Sequence, residues 1–334
     1  MRRISMVAAC IAHAVLVASA AHAVVYNVPP DPIPAMLASG DILNYDPGVD
    51  LYDNLTAPAG STVNLLSGYV DFVAPIEGTL NLNGGSVSTP LFANDTTVTL
   101  GAGSTLSNVS IRRGILDIVG GRVQSELYAV DSIVNLSAGN IALLGSIPGS
   151  TLNMSGGAIG SKLFGPLQGG GIINITGGLL GDLAIADGVV LNLSGGQIGV
   201  APSKSFFSAL PGATVHLLVQ QAQIDGVDVA GLSRGSTLPV DVTNRVGELT
   251  GVLRDGSPFH FDLAATSHHT GNYPRDPTIV TDPSHGAPIP PKTRVEVLIT
   301  LVPEPTSTCL VALGVAGAIP CRSAMYRRSR KLIG

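Results

Sequence analysis

The strongest constraint on the fold is a short motif that recurs about every 18 residues through the middle of the 334-residue chain. Each copy has an apolar–polar–apolar triplet followed by small residues, as in Leu80-Asn81-Leu82-Asn83-Gly84-Gly85. The central polar residues are Asn64, Asn81, Thr99, Asp117, Asn135, Asn153, Asn174 and Asn192, with a weak copy around His216. Five of the six intervals between residues 81 and 192 are 18 residues long, and one is 21. Such regularity is typical of a protein in which each repeat is one structural unit.

Two further apolar clusters accompany each triplet. One residue lies six positions after the centre: Val70, Val87, Val123, Ile141, Ile159, Leu180 and Ile198, the series being broken at Thr105, beside Leu106. A looser cluster follows ten to thirteen positions after the centre: Ile76, Phe92, Ile111, Val130, Ile147, Leu163 and Ile185. Three clusters per repeat predict three short strands per turn of an all-β, parallel β-solenoid, in which stacked coils about 4.8 Å apart bury each aliphatic side chain. The strand alternation places Leu80 and Leu82 inside and Asn81 outside, and the Gly-Gly pair turns the next corner.

Composition agrees with strands and tight turns, because the chain has 41 Gly and only 12% charged and 4% aromatic residues. All three cysteines lie in the terminal segments, so residues 24–302, the body, have no thiol chemistry. Seven of the 18 basic residues also lie in those segments, which leaves the body with 11 Lys and Arg against 22 Asp and Glu. A net charge of −11 repels nucleic acid, and we therefore expect no nucleic-acid partner.

The N-terminal residues 1–23 have the organisation of a secretory signal peptide. Arg2 and Arg3 precede an apolar run from Met6 to about Ala18, and the small-residue pattern Ala21-His22-Ala23 follows. These are the basic, apolar and cleavage-site regions of an export signal. The apolar run is shorter than the roughly 20 residues that span a bilayer.

The C-terminal residues 302–334 combine three elements in a fixed order. Val302-Pro303-Glu304-Pro305 is followed by the mostly apolar segment Thr306–Cys321 and by a basic tail. The tail includes Arg322, Arg327, Arg328, Arg330 and Lys331. The positive-inside rule predicts that this tail stays cytoplasmic while the body lies outside.

This end resembles the PEP-CTERM sorting signal of exopolysaccharide-producing Gram-negative and planctomycete-type bacteria. The resemblance implies a hydrophobic C-terminal helix, transient membrane insertion, processing by an exosortase-type protease, and delivery to the cell envelope, cell surface or extracellular space. The apolar segment departs from the pattern in being short and interrupted by Pro320. The repeats also resemble the coils of large secreted planctomycete proteins that carry the same tail.

The rest of the chain divides around the repeats. Residues 24–62 are expected to form a leading segment that covers the first coil, and residues 63–215 the solenoid. Residues 216–301 are expected to form a small β cap with an irregular loop at 265–293. Within the cap, Leu249–Leu253 and Phe259–Leu263 flank a turn and predict a β-hairpin, and Val295–Leu301 predicts a final strand. Such a cap would protect the open end from edge-to-edge aggregation.

The outward polar residues are the main candidate for a binding site. The candidate ligand ladder consists of Asn81, Asn135, Asn153, Asn174 and Asn192. These amides could hold a carbohydrate or ordered water, or they could hydrogen-bond to each other and stabilise the coils. The sequence leaves both interpretations open.

Catalytic and metal chemistry have weaker signals. A polysaccharide lyase or hydrolase needs clustered carboxylates, and the acids that share coils are Asp182 with Asp187, and Asp117 with Glu126 and Asp131. Arg112, Arg113 and Arg122 could bind an acidic glycan. The Gly-Gly turns lack the aspartates of a calcium β-roll, and His260, His268, His269 and His285 lack ligand spacing. We therefore expect no metal, no cofactor and no catalysis.

Together these features predict a secreted, envelope-sorted β-solenoid with a structural or adhesive role in the bacterial extracellular matrix. The alternative is a β-helix that binds or processes exopolysaccharide.

Overall fold

The computed structural model describes residues 23–302 except for 33, 35, 47–56, 71–76, 89, 146, 161–162, 165–169, 182, 186–187, 199–204, 210–211, 243–246 and 264–295. All the regular elements of these residues are β-strands. They are β1 (Val25–Val28), β2 (Ile42–Tyr45), β3 (Thr62–Leu65), β4 (Tyr69–Val70), β5 (Thr79–Leu82), β6 (Ser86–Val87), β7 (Leu91–Asn94), β8 (Thr97–Leu100), β9 (Thr105–Leu106), β10 (Val109–Arg112), β11 (Ile115–Val130), β12 (Ile133–Leu144), β13 (Thr151–Met154), β14 (Ala158–Ile159), β15 (Leu163–Phe164), β16 (Ile172–Leu180), β17 (Leu183–Ile185), β18 (Val190–Ile198), β19 (Ser205–Ala209), β20 (Thr214–Ile224), β21 (Val227–Asp228), β22 (Thr237–Asp241), β23 (Glu248–Leu253), β24 (Pro258–Asp262) and β25 (Glu296–Leu301).

The predicted parallel β-solenoid is present, with about eight turns roughly 18 residues apart. One face of the stack is a parallel sheet whose neighbouring strands follow the order β1, β2, β3, β5, β8, β11, β12, β13, β16, β18, β20 and β25. We call this the first sheet. The second sheet contains β4, β6, β9 and β14 with the middle or end of the long strands β11, β12, β16 and β18. The third contains β7, β10, β15, β17, β19 and β24 with the ends of β11 and β12.

The interior consists of columns of aliphatic side chains that follow from the predicted alternation. Leu80, Leu116, Val134 and Leu152 stack in one column of the first sheet and are inaccessible to solvent. The residues two positions later form a second buried column, which contains Leu82, Leu100, Ile118, Leu136, Met154, Ile175 and Leu193. Full burial of each such side chain contributes roughly 1.5–3 kcal/mol.

The predicted second cluster is also buried. Val70, Val87, Val123, Ile141, Ile159, Leu180 and Ile198 all line the interior. In the coil where Thr105 interrupts the pattern, Leu106 occupies the interior position and Thr105 faces outward. The series therefore continues in space although it shifts by one residue in the sequence.

The prediction for the third cluster was wrong at two positions. Phe92 is 51% exposed, and Val130 is only partly buried. In their strands the interior positions belong to Ala93 and Ala129, which stack on either side of Ile111. An alanine on each side leaves room for the larger Ile111 in this column.

The predicted leading segment contributes coils of its own rather than an added cover. Strand β1 pairs with β2, and β2 pairs with β3, in the same register that joins the later coils. Asn27 and Asn44 consequently occupy the same column as Asn64. Their intervals of 17 and 20 residues differ from 18, and this departure hid them from the sequence pattern.

The Gly-Gly pairs form corners as predicted, and Gly157 shows why. Its φ is +71°, and a Cβ atom there would lie 2.8 Å from the carbonyl oxygen of Gly139 on the neighbouring coil. Gly139 is equally constrained, because a Cβ atom would lie 2.2 Å from the carbonyl oxygen of Gly121. Close stacking of the coil backbones, in addition to the dihedral angle, therefore requires glycine at these corners.

The C-terminal region contains the predicted hairpin and final strand. Strands β23 and β24 are antiparallel, as expected for the two segments around the turn at 254–257. Strand β25 adds to the first sheet parallel to β20, and β22 then covers β25 in an antiparallel arrangement. Pro239 lies within β22 and removes a backbone donor from this strand, which limits further edge pairing. The predicted loop at 265–293 lies outside the described residues.

Candidate functional site

The candidate ligand ladder lies in one straight column on the outer surface of the first sheet. Strand pairing places each central polar residue directly against its equivalent in the next coil. The column contains Asn27, Asn44, Asn64, Asn81, Thr99, Asp117, Asn135, Asn153, Asn174, Asn192, His216 and Leu298. All five predicted members, from Asn81 to Asn192, are therefore brought together, and the weak copy at His216 is in register with them.

The amides of the column hydrogen-bond to one another in a single direction. The Nδ2 atom of Asn153 donates to Oδ1 of Asn135 at 2.9 Å, and Asn174 donates to Asn153 at 2.8 Å. The same bond joins Asn192 to Asn174, Asn135 to Asp117, Asn81 to Asn64, Asn64 to Asn44, and Asn44 to Asn27. The stabilising interpretation of the ladder thus has a direct geometric basis, at about 1 kcal/mol for each such bond.

Thr99 divides this chain of amide bonds into two runs. A threonine hydroxyl is too short to continue the amide-to-amide geometry between Asn81 and the next coil. The following run begins at Asp117, whose carboxylate has acceptors only and accepts a hydrogen bond from Nδ2 of Asn135. The carboxylate is therefore suited to the end of a one-way chain of donors.

Each asparagine in the ladder keeps hydrogen-bonding capacity for another molecule. An amide has two N–H donors and two acceptor sites, and an internal member such as Asn153 uses one of each within the column. Its side chain is half-buried, so the remaining donor and acceptor face outward. Coils about 4.8 Å apart repeat this donor–acceptor pair along the solenoid axis.

A second outward row lies beside the ladder and was missed by the sequence reasoning. It consists of the residues two positions before each ladder residue: Val25, Ile42, Thr62, Thr79, Thr97, Ile115, Ile133, Thr151, Ile172, Val190 and Thr214. All are β-branched, and Ile115, Ile133 and Ile172 are exposed. The constant offset from the ladder is the sequence signal that identifies this row.

The candidate acids and arginines do not converge on one catalytic pair among the described residues. Asp117 is engaged by Asn135, and the Asp95 carboxylate forms a bidentate ion pair with Arg113 at 2.7 and 2.9 Å. The hydrogen bond from Arg113 holds the pKa of Asp95 below its usual range. Glu126 and Asp131 lie on the same coil as Arg122, and Arg112 adjoins Arg113, while Asp182 and Asp187 lie outside the described residues.

Two aspartates bind backbone amides at the ends of the solenoid. Asp41 accepts hydrogen bonds from the N–H groups of Ala38 and Val24, and these bonds lower its pKa. At the other end Asp255, in the turn of the predicted hairpin, accepts from the N–H groups of Ser257 and Gly196. Desolvation raises the pKa of Asp255, but the hydrogen bonds outweigh it and the net pKa is lowered.

The remaining predicted groups lie in the cap and at the chain ends. His260 Nε2 is 3.3 Å from Glu248 Oε2 on the paired strand, and His268, His269 and His285 lie outside the described residues. Over the described part of the chain, no group of three His, Cys, Asp or Glu side chains could hold a metal ion.

Of the predicted sorting motif, only Val302 is described, and its N–H donates to the carbonyl oxygen of Val219 at 2.9 Å. Pro303, Glu304, Pro305, Arg327, Arg328, Arg330 and Lys331 lie outside the described residues, as does the predicted signal peptide up to His22. In the ranges that the structure covers, no helix is long and apolar enough to cross a membrane.

Comparison with known proteins adds no further assignment. No family model matches the sequence, and searches of the curated proteins and of the solved structures found no match.

Proposed function

We propose that this protein is an exported β-solenoid with a structural or adhesive role in the bacterial extracellular matrix. The observation that carries the proposal is the continuous parallel stack of coils, with its buried aliphatic columns and its outward polar ladder. A stack of this kind is a rigid rod whose length grows by about 4.8 Å per coil, and it presents one repeating surface along its axis. Those properties suit a spacer or a contact surface.

The two chain ends support the cellular part of the proposal. A signal peptide at residues 1–23 would direct export, and the PEP-CTERM-like segment at 302–334 would engage an exosortase-type protease after transient insertion. The acidic body contains no cysteine, so its core holds no disulfide. The body would therefore fold outside the cytoplasm without oxidative chemistry.

Removal of residues 303–334 tests the sorting role. The truncated protein should be released into the medium or left unsorted, with the thermal stability of its body unchanged, because Val302 makes the last described contact of the fold. A matched variant that replaces Arg327, Arg328, Arg330 and Lys331 with alanine keeps the apolar segment and removes only the basic tail. Unchanged envelope retention of both variants in the producing bacterium would overturn the sorting proposal.

The ladder favours a second candidate function, the binding of exopolysaccharide. Extended sugar chains carry hydroxyl groups that both donate and accept hydrogen bonds, as the outward halves of the ladder amides do. The exposed isoleucines of the β-branched row beside the ladder, Ile115, Ile133 and Ile172, offer apolar contacts to the faces of the sugar rings. The ladder and the row together form a flat strip that a linear glycan could follow.

A pull-down with the producer's own exopolysaccharide tests this candidate. Replacement of Asn135, Asn153 and Asn174 by alanine should abolish retention of the protein. The control variant replaces Ser137, Ser155 and Thr176 by alanine. These residues face outward two positions after the ladder residues, and the control variant should still bind the exopolysaccharide. Equal retention of the two triple variants would exclude the ladder as the glycan site and leave the structural role.

A further inference from the structure

The corner that precedes each strand of the first sheet has its own polar column. Three residues before the ladder position, several coils carry a buried hydroxyl residue: Ser61, Thr96, Ser132 and Ser150. Ser150 Oγ accepts a hydrogen bond from the N–H of Ser132 at 3.0 Å, and Ser132 Oγ accepts from the N–H of Gly114 at 3.2 Å. In both cases the side chain of one coil satisfies the backbone donor at the same corner of the preceding coil.

The first corner repeats this bond with a carboxylate in place of a hydroxyl. Asp41 occupies the same position relative to Asn44, and its Oδ1 accepts from the backbone nitrogen of Val24 at 2.9 Å. Its Oδ2 accepts from the N–H of Ala38 at 2.7 Å. Asp41 is only 5% exposed, so a full negative charge is held where a neutral hydroxyl is sufficient in later coils. A buried carboxylate is costly unless a positive charge or strong donors compensate for it.

The backbone nitrogen that faces Asp41 belongs to the residue after the predicted leader. Val24 follows Ala21-His22-Ala23, the small-residue pattern of a signal-peptide cleavage site. Hydrolysis of the Ala23–Val24 peptide bond adds one water, leaves a carboxylate on Ala23 and turns the amide nitrogen of Val24 into an α-ammonium group. The cut therefore places a positive charge on the atom that already lies 2.9 Å from Asp41.

We propose that Asp41 is the receptor for the α-ammonium group of Val24, and that leader removal completes the first coil by creating this ion pair. The inference rests on the proposed export of the protein. In the precursor only the acceptor of this bond, the Asp41 carboxylate, is ionised. After cleavage both partners are ionised, and the added Coulombic attraction holds β1 more tightly in the processed chain than in the precursor. Among the described strands β1 pairs with β2 alone, so this contact fixes the end at which the solenoid would otherwise fray.

The ion pair also predicts the pH response of the processed protein. Asp41 raises the pKa of the Val24 α-amine above its usual value of about 7.7–8.0. A group with a raised pKa stabilises the folded state below its unfolded pKa, and this contribution disappears as the pH rises through the folded pKa. The other acids of the described leading segment are Asp31, whose carboxylate accepts from the N–H of Asn27, and Asp46, which follows β2. The change expected near pH 8–10 is the loss of a proton from the α-amine.

The experiment compares two N termini on one chain. Residues 24–334 are released in detergent from a cleavable fusion that leaves Val24 first, and a second form carries Gly-Ser before Val24. Each form is made with wild-type Asp41, with Asp41→Asn, and with Asp41→Ser, the hydroxyl found at later corners. Asp95→Asn, which alters an exposed carboxylate at another corner, is the control. Melting temperatures are measured at pH 7 and pH 10.5.

The expected result is a coupling between residue 41 and the N terminus. Asp41→Asn should lower the melting temperature of the Val24 form by about 2–4 °C more than that of the extended form at pH 7, and this difference should vanish at pH 10.5. Asp95→Asn should have the same effect on both forms. Equal effects of Asp41→Asn on the two forms at both pH values would overturn the role of Asp41.

Two measurements on the wild-type chain keep the test independent of variant folding. Titration of the α-amine by NMR in the Val24 form should give a raised pKa, and an ordinary value would overturn the ion pair. Mass spectrometry of the protein from the producing bacterium should identify Val24 as the first residue. Another native N terminus would refute the processing step, which belongs to the proposed export, whereas Val24 first with an ordinary amine pKa would refute only the ion pair.

Discussion

The substitution Leu136→Ala tests the inner lining of the solenoid at a single point. Leu136 is 1% exposed and stacks between Ile118 of the preceding coil and Met154 of the following one. Ile133 lies on the same strand but points outward and is 43% exposed. Ile133→Ala is therefore a control that removes a similar aliphatic side chain from the same backbone.

The expected cost follows from burial. Truncation of a fully buried leucine to alanine removes its transfer free energy and leaves a cavity, with a total loss of about 3–5 kcal/mol. The cavity would be walled by Ile118 and Met154, and strand hydrogen bonds on both sides prevent the coils from closing it. For a body of this size the loss corresponds to a decrease of roughly 6–15 °C in melting temperature. Ile133→Ala should cost less than about 1 kcal/mol, because its side chain is 43% exposed and its truncation encloses no cavity.

Thermal unfolding followed by far-UV circular dichroism measures the two losses. Hydrogen exchange then locates them, since each coil contacts only its neighbours and protection should decrease most in β11, β12 and β13. Leu136→Asp extends the test, because a buried unpaired charge should unfold several coils at once. Similar losses for Leu136→Ala and Ile133→Ala would refute the assignment of inward and outward faces.

Four further predictions concern the ladder, a corner, the cap and the fold under acid. The double variant Thr99→Asn/Asp117→Asn should join the two runs of amide bonds and raise the free energy of unfolding by about 1–2 kcal/mol. A decrease in this free energy, measured by denaturant titration, would contradict the ladder geometry. Gly157→Ala should cost more than Gly256→Ala, because both have positive φ but only the first would bring a Cβ atom against a neighbouring coil, and equal costs would argue against backbone crowding. Asp255→Asn should detach the hairpin turn from Gly196, seen as faster hydrogen exchange in β23 and β24, with no change in β2 and β3. The pKa of Asp255 is lowered in the fold, so its contribution to stability is present above the unfolded pKa of about 3.9 and is lost as the pH falls through the folded pKa. The melting temperature of the wild-type protein should therefore decrease more between pH 5 and pH 2.5 than that of Asp255→Asn.

The candidate site was predictable in its position but not in its bonding. The 18-residue interval and the alternation within each triplet were sufficient to align Asn135, Asn153 and Asn174 on the outer surface. The one-way chain of amide bonds, and its interruption at Thr99, depend on the rotamers that neighbouring coils impose on one another. Those rotamers have no counterpart in a single repeat.

The sequence by itself determined the architecture of the repeated part of this protein. A strand alternates its side chains with a period of two, and identical coils must stack in register to bury them, so a local pattern was enough to assign Leu82, Leu136 and Leu193 to the interior. Only the tertiary structure decided the exceptions. Phe92 faces outward because Leu91 and Ala93, on either side of it in β7, occupy the inward positions, and Ala93 is in register with the buried Ile111 of the next coil.

The two ends were likewise decided by contacts between distant segments. Strand β25 joins β20 across about 80 residues of chain, and Asp255 reaches back 59 residues to the N–H of Gly196. At the first coil, Asp41 and the nitrogen of Val24 meet across 17 residues. An internal coil pairs with equivalent coils on both sides, so its contacts follow from the repeat. A terminal coil has such a neighbour on one side only, and its remaining hydrogen bonds are made with segments outside the repeat.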